Sequence, residues 1–238
     1  MRLLLDEKNG NRYLVNEEDL HTKYGVVKWD EVKDKKPGDR VETQTGRVYV
    51  ILEPNLLDFM KKARRGPQTI TLKDASIIAG FTGIHSGSRV LESGTGSGLL
   101  TMFLANLVYP EKLSTYELRQ DFADIAEKNL RKAGIENVNL EVRDVYEGID
   151  EKDLDVVIFD LPEPWKAVAH AKAALKAGGY LVIYSPSIGQ VQEVYGHLLG
   201  FENRTVEVIM REWDVKVMRP EIQMIGHTAF LTFARFLG

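Results

Sequence analysis

The sequence predicts an α/β protein: a mostly parallel sheet closed by an antiparallel C-terminal pair, preceded by a small β-domain. Three observations predict it. Residues 1 to about 55 carry short alternating segments broken by KNGN, KKPGD and QTG, the pattern of a small β-domain with tight turns. From residue 67 onward, strand-like and helix-like segments alternate, as a parallel sheet with crossover helices requires. Two β-rich stretches, 204–218 and 226–236, then follow with no helix between them, so they are expected to pair with each other.

In chain order, the small domain (1–55) is expected to hold strands at Arg2–Leu5, Arg12–Val15, Arg40–Thr43 and Val48–Leu52. Residues 56–66 read as a basic helix stopped by Gly66 and Pro67, a linker to the larger domain at 67–238. That domain is expected to place strands near 89–92, 113–117, 138–143, 154–160 and 180–185. Its helices are expected near 73–83, 99–108, 121–133, 166–177 and 187–199. There is no internal repeat, low-complexity segment or coiled-coil heptad.

A chain of 238 residues, 44% hydrophobic and 28% charged, can bury the core of one large domain with a small appendage. The absence of cysteine excludes disulfides, thiolate zinc sites and cysteine nucleophiles. His85 and His170 lack partners at metal-ligand spacing, so no metal is expected. The apolar start, Met1 to Leu5, is too brief for a signal peptide, and Leu99 to Pro110 is too short to span a bilayer. A cytoplasmic protein with no membrane association is the expectation. The net charge of −4 divides into +2 over residues 1–66 and −6 over 67–238, which argues against indiscriminate nucleic-acid binding. Lys61, Lys62, Arg64 and Arg65 nevertheless cluster in KKARRGP. Such a cluster is a solvated face unless the neighbouring pocket handles a nucleotide.

The stretch RVLESGTGSGLLT, residues 89–101, runs from a strand through three glycines into an apolar helix. Gly94, Gly96 and Gly98 let a ligand approach the main chain beside a helix N-terminus. Dinucleotide sites use G-x-G-x-x-G, but here the third glycine position holds Leu99. The pattern is E-x-G-x-G-x-G. Glu92, at its head, would repel a pyrophosphate and could help hold a cationic amino acid moiety, which favours S-adenosyl-L-methionine over NAD. A turn with no ligand is the alternative.

Ligands of open α/β sheets sit beyond the carboxyl ends of the strands, and there the sequence places carboxylates. Glu117 follows Gly94 by 23 residues, close to the spacing at which an acidic side chain meets an adenosine ribose. Asp144 followed by Val145 could bind an adenine amino group and cover the ring. Asp160 ends the next strand. Each alone could be a helix cap; together, behind the glycine loop, they mark a cofactor site.

This order of Glu92, Gly94, Gly96, Gly98, Glu117, Asp144 and Asp160 resembles that of the Rossmann-like class I S-adenosyl-L-methionine-dependent methyltransferases over residues 68–236. DLPEPWK, Asp160 to Lys166, resembles the [DN]-P-P-[FYW] segment of base amino-methyltransferases, with Leu161 and Glu163 interrupting that form. Its longer form D-x-x-EPW, with GPQTI…KDASII at 66–78 and RP…MIGHTAFL at 219–231, is similar to one family: the bacterial and archaeal homotetrameric tRNA (adenine-58-N1)-methyltransferases, whose small N-terminal β-domain matches residues 1–55. The resemblance implies a homotetramer acting on tRNA. Gln68 to Ile70 would line the cofactor pocket, Ser97 to Leu99 the methionine end, Glu117 the ribose, and Asp144 with Val145 the adenine. Asp160 would be the catalytic carboxylate beside the transferred methyl group. Trp165 and the four cations would serve RNA. His227, the histidine of GHTAF, has no role derivable from sequence.

Three rivals remain at this level. A methyltransferase of protein or small molecules would differ around Asp160 to Trp165. A non-catalytic RNA-binding subunit should have lost cofactor glycines, and all three are present. A dehydrogenase is disfavoured by Leu99.

Overall fold

The computed structural model describes residues 1–64 and 69–238. The chain divides into two units, Met1–Ala63 and Arg64–Gly238. The expected Gly66-Pro67 stop, and the site candidates Arg65 and Gln68, lie outside the described residues.

The first unit is built from β1 (Arg2–Asp6), β2 (Arg12–Val15), the hairpin β3 (Leu20–Thr22) and β4 (Gly25–Val27), β5 (Arg40–Glu42), β6 (Val48–Leu52) and α1 (Leu56–Lys62). Four strands form an antiparallel sheet in the order β2-β1-β6-β5. Alternation along β1 and β6 sends Leu4, Tyr49 and Ile51 into a core with Val27, Val32 and Val41. The β3–β4 hairpin was not expected; its short strands carry too few alternating positions to register. Asp6 is fully buried. Burial alone would raise its carboxyl, but Arg47 at 2.7 Å and the Lys8 amide at 3.0 Å override that and hold it below the ordinary value.

Helix α1 opens with a capping box: Asn55 accepts from the Asp58 amide and Asp58 accepts from the Asn55 amide. Buried Asp58 also pairs with Arg12 at 2.8 Å, which packs the helix on β2. The helix ends at Lys62, short of the expected 66. Ala63 turns to extended backbone, and the Arg64 N–H and C=O are both taken by the Asn129 side chain instead of a helical ladder.

The second unit alternates as the sequence predicts: α2 (Leu72–Thr82), β7 (Val90–Ser93), α3 (Leu99–Val108), β8 (Leu113–Glu117), α4 (Gln120–Ala133), β9 (Val138–Val142), β10 (Leu154–Phe159), α5 (Val168–Ala174), β11 (Leu175–Ser185) and α6 (Ile188–Tyr195). Then come β12 (Phe201–Glu207), the two-residue strands β13 (Trp213–Asp214) and β14 (Arg219–Pro220), and β15 (Phe230–Phe236). The seven-stranded sheet has the order β12-β15-β11-β10-β7-β8-β9. Neighbours from β9 to β11 are parallel, and β15 runs antiparallel to both β11 and β12. The order reverses between β7 and β10, the place where such sheets open a crevice. Both faces of β10 are buried, Val157 and Phe159 on one and Val156 and Ile158 on the other, as expected of a strand covered by helices on both sides.

Three expected boundaries shift. The helix foreseen at 166–177 is a 3-10 turn (Pro164–Ala167) followed by α5, and β11 begins at Leu175. The strand reaches back through a bulge: Leu175 pairs with Leu154 and the regular register resumes at Tyr180 with Val156, while Gly179 lies against β10, where a Cβ would stand 2.9 Å from the Leu154 carbonyl oxygen. Helix α6 ends at Tyr195 rather than near 199. The antiparallel pair is 201–207 with 230–236. The apolar run beyond Val208 forms only the two-residue β13–β14 pair and does not join the seven-stranded sheet. Val215 is 80% exposed, Met218 84% and Ile222 80%, with Trp213 and Ile225 also exposed. Lys73 pins both ends of this segment, its ammonium donating to the Val208 carbonyl at 2.6 Å and to the Thr228 hydroxyl at 2.9 Å while pairing with buried Asp74. Among the described residues, no helix is long and apolar enough to cross a membrane.

Candidate active site

A cavity of about 450 Å³ opens at the carboxyl ends of β7, β8 and β10. Its floor is the glycine loop. Gly94 has φ +96°, and a Cβ there would stand 2.2 Å from the Asp160 carbonyl oxygen, so only glycine fits between the two strand ends. Gly98 starts α3 at φ +78° and packs against Ala126, where a Cβ would stand 3.1 Å from the alanine Cβ. Gly98 shapes the loop from behind, whereas Gly94, Gly96, Ser97 and Leu99 line the cavity.

Each carboxylate is held differently. Glu92 is buried and accepts from the hydroxyls of Thr101 at 2.7 Å and Thr115 at 2.9 Å. Burial pushes its carboxyl up to about 8 despite those bonds, helped by the charges of Asp160 and Glu117. Glu117 receives the Gly96 amide at 2.8 Å on one oxygen and the Arg119 amide at 3.0 Å on the other. Asp144 caps the 3-10 turn Val145–Glu147 through the Tyr146 amide at 2.9 Å, and both Asp144 and Val145 line the cavity. Asp160 extends the β7–β10 ladder, its amide donating to the Ser93 carbonyl at 2.9 Å. Burial, and then the charge of Glu117, push its carboxyl up to about 6.

Ile70 lines the cavity beside Thr69. The buried hydroxyl of Ser97 has no hydrogen-bond partner among the described residues. Asn129 on α4 supports this region from below, its amide donating to the carbonyls of Ser97 and Arg64, each at 2.9 Å. Trp165 is not among the lining residues; half-buried, it packs against the core beside Leu161. Lys61 and Lys62 are exposed in the last turn of α1 and Arg64 is exposed just after it; none of the three lines the cavity.

Sequence reasoning missed several lining residues. Leu118 and Phe122 follow Glu117, and Arg143 and Tyr146 flank the Asp144–Val145 pair. Pro186 and Gln190 lie beyond β11. Of these only Gln190 carried a signal, the S-x-x-Q of a capping box with Ser187. His227 is exposed, its two ring nitrogens 2.5 Å from a Glu207 carboxylate oxygen and 2.9 Å from the Pro186 carbonyl. Those two acceptors raise its pKa above the ordinary histidine value, Glu207 contributing more. Among the described residues, no three His, Cys, Asp or Glu side chains are grouped to hold a metal ion.

The family described as "tRNA methyltransferase complex GCD14 subunit" matches residues 46–222. The chain is 38% identical to the tRNA (adenine(57)-N(1)/adenine(58)-N(1))-methyltransferase TrmI of Methanocaldococcus jannaschii, over 98% of this chain and 94% of that protein. It is 37% identical to the tRNA (adenine(58)-N(1))-methyltransferase TrmI of Thermus thermophilus, over 98% and 96%. Among solved structures, the fold is similar to a SAM-dependent O-methyltransferase from Thermotoga maritima, with TM-score 0.92, 36% identity and coverage of 100% of this chain and 92% of that one. It is also similar to the tRNA (m1A58) methyltransferase TrmI of Aquifex aeolicus, with TM-score 0.84, 27% identity and coverage of 100% and 96%. With a parallel sheet, a glycine loop against Asp160 and matches of this extent, the chain belongs to the GCD14/TrmI family of tRNA methyltransferases.

Proposed function

We propose that this protein transfers a methyl group from S-adenosyl-L-methionine to N1 of adenine 58 in the T-loop of tRNA. The observation that carries the reading is the placement of Asp160: a half-buried carboxylate lining the cavity, whose main chain lies directly on Gly94 of the glycine loop. Family membership and two near-full-length relatives named for this reaction support it. The residues present fit the cofactor. The cavity volume lies within the range of ligand sites; the orphaned Ser97 hydroxyl faces no competing partner; and Glu117, Asp144 and Asp160 suit a cationic ligand.

When bound, S-adenosyl-L-methionine supplies an electrophilic methyl group on a sulfonium. Glu117, its carboxylate fixed by two main-chain amides, would accept from the ribose hydroxyls. Asp144 would hold the adenine amino group, Val145 and Leu118 would cover the ring, and Ser97 with Leu99 would border the methionine end of a pocket that Ile70 also lines. Transfer of that methyl group to the in-plane lone pair of adenine N1 would leave sulfur its bonding pair and the base a positive charge. Asp160 would accept a hydrogen bond from N6 and stabilise that charge or take the N6 proton. N1 is a pairing edge, so the base must leave its stack to reach the cavity.

The finer parts of the proposal concern organisation. Residues 1–55 act as a small β-domain and 56–66 as a basic helical linker to the catalytic domain at 67–238. Lys61, Lys62, Arg64 and Arg65 contact tRNA phosphates, with Trp165 supporting the loop that reads the base. The exposed apolar residues of segment 209–225 are assigned to a second copy of the chain within a homotetramer, in the cytoplasm. The deciding assay is methyl transfer from labelled cofactor to an unmodified tRNA transcript, followed by nucleoside analysis and mapping. N1-methyladenosine at position 58, alone or with 57, supports the reading. A 2′-O-methylnucleoside would support the O-methyl activity named for the Thermotoga structure instead, and no transfer would refute the assignment.

A further inference from the structure

The loop from Asp160 to Trp165 has two prolines, Pro162 and Pro164, and so lacks two main-chain donors. Stiffness alone does not place it. Two of its remaining polar groups, the Glu163 N–H and the Pro162 C=O, are each met by a side chain from another part of the second unit. The Tyr146 hydroxyl accepts the Glu163 amide at 3.2 Å, and the Gln190 side-chain amide donates to the Pro162 carbonyl at 3.0 Å.

Both side chains are themselves held. The Tyr146 amide is capped by Asp144, and its carbonyl is 3.0 Å from the His170 ring. Gln190 closes a capping box with Ser187, the Ser187 amide donating to the Gln190 side-chain oxygen at 3.4 Å and the Gln190 amide donating to the Ser187 hydroxyl at 3.3 Å. That arrangement leaves the Gln190 NH₂ to face the loop. Tyr146, Leu161, Pro162 and Gln190 all line the same cavity.

We propose, building on the function just assigned, that Tyr146 and Gln190 are positioning residues for methyl transfer, bracing the Asp160–Trp165 loop from two sides through Glu163 and Pro162. The Tyr146 brace also connects the two halves of the site. Asp144, assigned to the cofactor adenine, caps the residue whose hydroxyl holds the loop carrying Asp160. Neither side chain needs to touch the reacting atoms. Their contribution is to keep the Asp160 carboxylate where charge develops, and small misplacements of such a group cost rate rather than binding.

The test uses the full-length protein with Tyr146→Phe, Gln190→Met and the double variant. Phe keeps the ring and removes the bond to Glu163, whereas Met keeps the length and removes both the bond to Pro162 and the side-chain acceptor of the capping box. Each single variant is expected to lower the single-turnover rate on unmodified tRNA about five- to tenfold, the scale of one neutral hydrogen bond. Affinity for S-adenosylhomocysteine should stay within about twofold. The double variant should lose more than the product of the two, because a loop freed on one side is still held on the other. Hydrogen exchange at the Glu163 amide, which needs no tRNA, should accelerate in Tyr146→Phe. Unchanged exchange together with single-turnover rates within twofold of wild type would overturn the brace, as would equal losses of rate and cofactor affinity. If the wild type transfers no methyl group to tRNA, the functional assignment falls, and the exchange measurement alone still decides whether Tyr146 holds the loop.

Discussion

The carbonyl oxygen of Asp160 occupies the space that a Cβ on Gly94 would need, 2.2 Å away. The glycine loop and the Asp160–Trp165 loop thus share one van der Waals surface. Gly94→Ala combines a main-chain clash with φ +96°, and should cost about 3 kcal/mol of stability or displace Asp160. Calorimetric titration with S-adenosylhomocysteine and a thermal melt would read both effects; a variant with wild-type affinity and melting temperature would mean that the two loops move apart without cost.

Asp160→Asn preserves size and one acceptor oxygen while removing the charge. Single-turnover methylation with both substrates saturating should slow about 10²-fold, with cofactor and tRNA affinity little changed. A rate within a few-fold of wild type would leave Asp160 only a base-positioning role.

The same carboxyl is pushed up to about 6 by burial and by Glu117, and the mechanism uses its ionised form. The wild-type rate should therefore fall about tenfold per pH unit below pH 6 and level off above it. In Asp160→Asn that limb should vanish. If both profiles keep the same acid limb, another group controls it.

His227 has its pKa raised by Glu207 and by the Pro186 carbonyl. A raised histidine stabilises the fold fully below its unfolded value and loses that contribution as pH rises through the folded value. The melting-temperature gap between wild type and His227→Ala should accordingly be widest near pH 5.5 and shrink by pH 9. A gap independent of pH would assign the side chain a packing role against Phe230, whose ring centroid is 5.0 Å away.

Exposed Trp213 and Met218 lie on the segment assigned to a second copy. Light scattering of Trp213→Glu/Met218→Glu should show smaller assemblies than the wild type. If the wild type is already monomeric, the apolar residues serve another partner and the homotetramer is wrong.

Legibility followed periodicity and strand ends. Glu117 is readable as a cavity residue because a carboxylate at the end of the strand after the glycine loop falls at the edge of the sheet where the cavity opens. The central strand β10 is readable because both of its faces are apolar, whereas β9, VNLEV, sits at the edge of the sheet and carries no buried residue. Trp165 shows the limit of the pattern: a flat aromatic beside prolines suggests a base platform, and sequence alone does not record that it also packs against the core cluster. Tyr146 and Gln190 are invisible as site residues because their partners are main-chain groups of a distant loop, and nothing in the local pattern records a carbonyl 28 residues away. The run beyond Val208 reads as strand because its composition is that of a strand; composition does not say whether an edge is available.

The position of β15 has a consequence for how the protein is made. It follows β12 in the chain but lies between β11 and β12 in the sheet. During synthesis, therefore, β11 must wait with an open, apolar edge from Tyr180 to Tyr184 until residues 230–236 have emerged, and β12 has no partner before then. Nascent chains stalled inside the 209–227 segment would carry two unpaired strand edges and the exposed apolar segment at once. Ribosome-bound intermediates arrested there should bind holdase chaperones far more strongly than those arrested just past Phe236.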